Sequence, residues 1–220
     1  MEYINEDFLK DIFITKKAMR RSSNNKVESP ILFKSLVIFG VPGSGKTSIA
    51  NYIAREATKY YGINNVNARY VSNGEIGFLI RFGIEKKLVN ILFIDNLTLV
   101  KVRPETLQSY FKIRHHHVLE GLEKGYVLSI VAIHRFHSSP LEVRTIMDGL
   151  IVLDSTMNPY DRSVLNNFVG SEVVEYFDSL ASRKQEDPEL KSLAYYKSKS
   201  IEGWIKIPLV KQKYMKYVFE

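Results

Sequence analysis

Between an apolar run, Ser35 to Phe39, and a helix-forming stretch, Ser48 to Tyr61, the chain reads Gly40-Val41-Pro42-Gly43-Ser44-Gly45-Lys46-Thr47. The pattern G-x-x-x-x-G-K-[ST] in that context constrains the fold more than any other feature. Glycines at 40, 43 and 45 let the backbone curl so that successive N–H groups point inward, where side chains would otherwise obstruct. The helix that follows adds the positive end of its dipole to the same spot. Such a cradle suits phosphate oxygens. Lys46 supplies a compact cation for the β and γ phosphates, and the Thr47 hydroxyl supplies a ligand for Mg²⁺. The residues expected to hold a nucleotide are Gly40, Val41, Pro42, Gly43, Ser44, Gly45, Lys46, Thr47 and Ser48.

The rest of the chain reads as more units of the same kind. Residues 3 to 20 place Ile4, Phe8, Ile12 and Met19 at roughly helical spacing, giving a leading helix before a polar loop, Arg20 to Ser29. Val66 to Val71 reads as a second strand. Val89 to Ile94 is a continuous apolar run ending at Asp95, the pattern of a strand buried on both faces of a parallel sheet. Helices are expected over 75–88 and 105–124, with Pro104 at the start of the second. Tyr126 to Ile133 and Gly149 to Leu153 supply two more strands. The expectation is an α/β fold with a mostly parallel five-stranded core sheet and helices on both sides, with phosphates at the C-terminal strand ends. Beyond Asp154, Arg162 to Leu180 reads as a helix, and Ile201 to Ile207 and Lys213 to Phe219 as two strands joined through Pro208. The division expected is an N-terminal helix and loop over 1–34, a core over 35–155 and a small β-containing extension over 156–220, all in one domain.

Composition sets limits. Hydrophobic residues make up 45% of the 220 and charged residues 25%, which excludes a disordered chain. The longest strongly apolar stretch, Tyr126 to Ile133, is far short of the roughly 20 residues a membrane-spanning helix needs. The acidic N-terminal residues Glu2, Glu6 and Asp7 are unlike a secretory signal, so a cytoplasmic protein is expected. With no cysteine, a disulfide framework, a thiolate metal site and thiol redox chemistry are all excluded. The formal charge of +7 favours polyanionic partners without choosing among them. His115, His116 and His117 point in different directions on a helix and do not converge on one metal ion.

Ile91-Leu92-Phe93-Ile94-Asp95 resembles the Walker B element, in which a buried strand delivers an Asp beside the phosphate loop to hold the Mg²⁺ shell. Strands in the order Walker A, intervening strand, Walker B and two more resemble the additional-strand (ASCE) group of P-loop ATPases over residues 35–155. That resemblance implies a P-loop NTPase three-layer sandwich using ATP and Mg²⁺, with Lys46, Thr47 and Asp95 at the phosphates and metal. In most hydrolytic members a Glu follows the Asp; here Asn96 stands there. Asn accepts no proton, so it orients the water, or a carboxylate from elsewhere is the base. Glu75, after the second strand, is the substitute suggested by RecA-like relatives, and a solvated Glu at a helix start fits it as well.

The resemblance also implies roles for later residues. His134 ends its strand where AAA+ and packaging ATPases carry the polar sensor 1 residue; a solvent-facing strand-end His is the other reading. Arg144 precedes the last core strand, as an arginine finger or sensor does in the FtsK-HerA and AAA+ groups, and a finger acting in trans requires a homo-oligomeric ring. A surface Arg fits equally, and Arg135 and Arg103 are lesser candidates. The tail mixes Tyr195, Tyr196, Lys197, Lys199, Trp204 and Lys206 with a further basic-aromatic run; it reads either as a backbone-tracking surface or as a half-buried hairpin. A short chain, a β-containing tail and a basic balance point to a nucleic-acid motor similar to the FtsK-HerA group with its genome-packaging ATPases, with DNA as partner. Pro159-Tyr160-Asp161-Arg162 also suits an AAA+ replication initiator or helicase loader, the loop sequence itself suits a nucleoside phosphate kinase, and Asn96 in place of the expected base suits an ATP-dependent switch with little turnover.

Overall fold

The structure is a computed structural model and describes residues 2–15, 32–71, 87–95, 125–137, 139, 141–155 and 158–208. Its strands are β1 (Leu32–Phe39), β2 (Val66–Val71), β3 (Val89–Ile94), β4 (Tyr126–Ile133), β5 (Gly149–Val152), β6 (Leu193–Ser198) and β7 (Glu202–Lys206). They form one sheet in the order β2-β3-β4-β1-β5-β6-β7. The first five run parallel, as expected. β6 and β7 widen the sheet by two antiparallel strands beyond β5.

The strands are apolar along their length because helices cover both faces. β3 and β4 are buried at every position. Successive side chains still serve opposite faces. On β1, Leu36 and Ile38 pack with Phe8, Ile12, Ile49 and Ile53, under α1 (Asn5–Ile12) and α2 (Lys46–Tyr61). Val37 and Phe39 pack with Val143, Leu165 and Phe177, from α3 (Leu141–Ile146), α4 (Pro159–Val169) and α5 (Ser171–Leu180). Each fully buried Leu, Ile or Phe contributes about 1.5–3 kcal/mol, so both faces hold the sheet in register. The result is the expected three-layer sandwich.

Buried tyrosines fasten the leading helix beneath this sheet. Tyr126 Oη donates to Ile12 O at 2.5 Å, Tyr61 Oη to Ile14 O at 2.7 Å and Tyr196 Oη to Asp11 Oδ2 at 2.5 Å. At its other end Ile4 N donates to Trp204 O at 2.9 Å. The expected leading helix over 3–20 is thus helical from Asn5 to Ile12, and residues after Thr15 lie outside the described ones.

The C-terminal part departs from expectation in two places. Arg162 to Leu180 is two helices, because Gly170 at φ 93° takes a conformation that side chains disfavour and ends α4 there. α4 opens on Asn158, whose side chain accepts from Tyr160 N and Asp161 N, with Pro159 in its first turn. Two short helices, α6 (Arg183–Glu186) and α7 (Pro188–Lys191), lead into β6. The hairpin that was expected from Ile201 onward is formed by β7 with the preceding strand, β6; 213–219 lie outside the described residues. So do the segments expected as helices over 75–88 and 105–124, apart from Lys87 and Leu88, which are not helical.

The described tail fits the half-buried hairpin reading. Tyr196 is 0% exposed and Tyr195 8%, and the Trp204 ring lies 5.1 Å from both Tyr195 and Phe177. Tyr195 and Tyr196 are core and not available to stack on bases, and the half-buried Trp204 ring is packed against Tyr195 and Phe177. Lys197 pairs with Glu202 at 2.5 Å and Lys206 with Glu189 at 3.2 Å. No helix among the described residues is long and apolar enough to cross a membrane.

Candidate functional site

The phosphate loop has the backbone its glycines predict. Gly43 and Gly45 hold φ of 79° and 97°, in the left-handed region that costs a side chain energy, and neither has an atom near its missing Cβ. Conformation, not crowding, selects glycine there. Gly40 is different: a Cβ on it would meet Ser44 Oγ at 2.4 Å and Leu153 Cβ at 3.0 Å. Ser44 Oγ is itself buried without a hydrogen-bond partner. α2 starts on Gly45 with no side-chain cap and no acidic residue in its first turn. Its first N–H groups and its dipole therefore offer themselves to an anion.

Lys46 is 6% exposed, and its Nζ donates to Gly40 O at 2.7 Å and Val41 O at 2.8 Å. Burial lowers its pKa to about 8, against the opposing charges of Asp95 and Asp154. A buried ammonium held by two loop carbonyls is ready to turn to phosphate oxygens, whose charge would raise its pKa again.

Strand parity explains why the other candidates converge. Ile38 of β1, Phe93 of β3 and Ala132 of β4 all face α2. Two residues on, Gly40, Asp95 and His134 continue on the same face at the C-terminal ends of three adjacent strands. The order puts β4 between β3 and β1, so His134 sits between the carboxylate and the phosphate loop. Its Nδ1 lies 3.1 Å from Gly40 O. A carbonyl only accepts, so Nδ1 carries the proton and Nε2 is the acceptor of the neutral ring. Burial, then the charge of Lys46, lowers the His134 pKa and keeps the ring neutral. The strand-end position of His134 is therefore held by a neutral ring whose Nδ1–H is directed at the phosphate loop.

Asp95 is half-buried, and Tyr70 Oη donates to its Oδ2 at 3.0 Å. Thr47 is half-buried at the start of α2, and Asn51 Nδ2 donates to its carbonyl at 3.0 Å. Thr47 and Asp95 offer oxygen donors only, which fits a small hard cation. No cluster of three or more His, Cys, Asp or Glu stands ready for a metal among the described residues. A site with few protein ligands suits Mg²⁺, which keeps much of its water and binds through carboxylate and phosphate oxygens.

Two residues near this end were not anticipated. Asp154 follows β5 and its carboxyl pKa is raised by burial, with Lys184 and Lys46 pulling it down. Lys184 on α6 is 8% exposed, donates to Leu153 O and lies 4.5 Å from the centre of the Phe177 ring. Burial lowers its pKa, against Asp154. A lysine in a polar run gives no sequence signal of burial; only the fold brings α6 over the end of β5. Tyr70 had a signal, since an aromatic at the end of the strand beside Walker B shares its face.

The remaining candidates divide. Arg144 lies on α3, on the opposite face of the sheet from α2, with its Nε buried and unpartnered. Arg135 is exposed. Arg162 pairs with Asp178 at 2.5 Å, on α4 and α5. Glu75, Asn96, Arg103 and His115 to His117 lie outside the described residues.

Residues 36–139 match the profile of the ATPase family associated with various cellular activities (AAA). No curated protein matches the chain by sequence. Among solved structures it is similar to B204, the DNA-packaging ATPase of Sulfolobus turreted icosahedral virus, at 14% identity and a TM-score of 0.52, over 80% of this chain and 98% of that one. It is similar to the genome-packaging NTPase B204 of Sulfolobus turreted icosahedral virus 2 in complex with AMPPCP, at 13% identity and a TM-score of 0.56, with the same coverage. EssC (ATPases 2 and 3) from Geobacillus thermodenitrificans gives a TM-score of 0.53 at 13% identity, over 81% of this chain and 40% of that one. At such identities the likeness is one of fold.

Proposed function

We propose that this chain is a P-loop ATPase of the additional-strand group and a nucleic-acid motor, coupling ATP hydrolysis to the translocation or packaging of DNA; the AAA profile over residues 36–139 and the fold likeness support this reading. The observation that carries the reading is the extent of the fold likeness. It takes in 98% of the packaging ATPase and 80% of this chain, well beyond the AAA-matched residues 36–139. The formal charge of +7 supports a polyanionic track. The 220 residues act as one domain, in the cytoplasm, and as a homo-oligomeric ring.

Lys46 moves from the carbonyls of Gly40 and Val41 to the β and γ phosphates, while the loop N–H groups hold their oxygens. Thr47 and Asp95 would hold Mg²⁺, which would supply neutralisation of phosphate charge. His134, with Nδ1–H on Gly40 O, directs its accepting Nε2 to orient the attacking water. Asn96 follows Asp95 in sequence and assists that orientation, with Glu75 as the base. Arg144 acts from a neighbouring subunit.

A second reading, an AAA+ initiator or helicase loader, is favoured by the AAA profile and by the helices α4 to α7 after β5. Against it, Arg162 is engaged by Asp178, and β6 and β7 follow where an all-helical lid would continue. The test is ATP turnover with and without single- and double-stranded DNA. Stimulation by DNA that Lys46→Ala and Asp95→Ala both abolish supports the motor. Turnover indifferent to DNA, or phosphoryl transfer to a nucleoside monophosphate, sinks it.

A further inference from the structure

Asp95 does not stand alone at the end of β3. Tyr70, next to last in β2, donates its hydroxyl to Asp95 Oδ2 across the strands at 3.0 Å. The register sets Tyr70 beside Phe93, with ring centres 5.4 Å apart, and the two-residue step from Phe93 to Asp95 brings phenol and carboxylate together. Tyr70 is 41% exposed, so burial of its ring is not what selects tyrosine at this position. A carboxylate bound at one oxygen has lost much of its freedom to rotate, while the other oxygen keeps its lone pairs.

We propose that Tyr70 is a positioning residue for the metal side of the site, its hydroxyl fixing the Asp95 carboxylate in the orientation that holds a divalent cation. The inference rests on the reading of Asp95 as the metal-side carboxylate. Without the phenol, the carboxylate must be ordered when the cation arrives, and affinity falls. Outer-shell partners of metal ligands typically change affinity by about 10–100-fold. For a phenol that stays 41% exposed to water the effect falls below that range, to about threefold to tenfold.

Tyr70→Phe tests this, since it keeps the ring against Phe93 and removes only the hydroxyl. Mn²⁺ is titrated by electron paramagnetic resonance in the presence of a non-hydrolysable ATP analogue, beside wild type and Asp95→Ala. The expected result is Mn²⁺ affinity weakened about threefold to tenfold in Tyr70→Phe, with analogue affinity in EDTA unchanged. The Mg²⁺ concentration for half-maximal turnover rises by the same factor, while turnover at saturating Mg²⁺ stays at the wild-type value. Mn²⁺ affinity that is unchanged or tighter in Tyr70→Phe, with Asp95→Ala weakened, overturns the role of Tyr70 alone. Unchanged affinity in Asp95→Ala as well overturns the metal-side reading of Asp95, and the proposal with it.

Discussion

Raising the pH from 7 to 9 should weaken nucleotide binding by about tenfold, and the cause is Lys46. Burial lowers the pKa of this lysine to about 8 in the free protein. Phosphates beside it in the bound state favour the ammonium and raise its pKa again. At pH 7 the free protein therefore already carries the charge, and binding needs no proton. Above pH 8 the free lysine is neutral, so binding must take up a proton and affinity falls by about a factor of ten per pH unit. His134 does not blur the window, because its pKa is lowered from the ordinary imidazole value and the ring stays neutral throughout. The assay is calorimetric titration with a non-hydrolysable ATP analogue at pH 7, 8 and 9, in buffers of different ionisation enthalpy. About half a proton should be taken up per nucleotide at pH 8, and none in Lys46→Met, whose weaker binding should be flat with pH. Equal affinity at pH 7 and 9 with no proton uptake would refute a Lys46 of depressed pKa turning to the phosphates.

Gly40→Ala should damage both fold and site, because its Cβ would lie 2.4 Å from Ser44 Oγ and 3.0 Å from Leu153 Cβ. A stability loss of about 1–3 kcal/mol is expected in thermal melts, together with weaker nucleotide binding. Lys184→Met keeps the buried stem but removes the donor to Leu153 O and the charge facing Asp154, so stability should fall by about 1–2 kcal/mol. Lys184→Ala, which also leaves a cavity beside Phe177, should cost about 2–3 kcal/mol by denaturant titration.

Much of the fold was legible where burial on both faces made the strands continuous apolar runs. β2, β3 and β4 have the bounds their sequences suggest, Val66–Val71, Val89–Ile94 and Tyr126–Ile133. β6 was hidden because Tyr195, Tyr196 and Lys197 look like a basic aromatic surface, and only pairing with β5 reveals two of them as core. Gly170 was passed over within an otherwise helical pattern, although its backbone conformation ends α4. In the site, a local motif fixed Gly40 to Thr47, and strand parity brings Asp95 and His134 to the same face. The tautomer of His134 and the contacts of Asp154 and Lys184 depend on elements distant in sequence, so no local pattern carries them. Arg144 was placed by resemblance, and its buried Nε on α3 gives no direct contact with the phosphate loop.

In the proposed reaction a Mg-nucleotide is hydrolysed where β1, β4 and β3 end. The most direct measurement is phosphate release from ATP by wild type and Lys46→Ala, each with Mg²⁺ and with EDTA. Release by the wild type only when Mg²⁺ is present, and its loss in a Lys46→Ala protein that melts as the wild type does, is the predicted result. Phosphate release that survives Lys46→Ala, or that proceeds in EDTA, would contradict it.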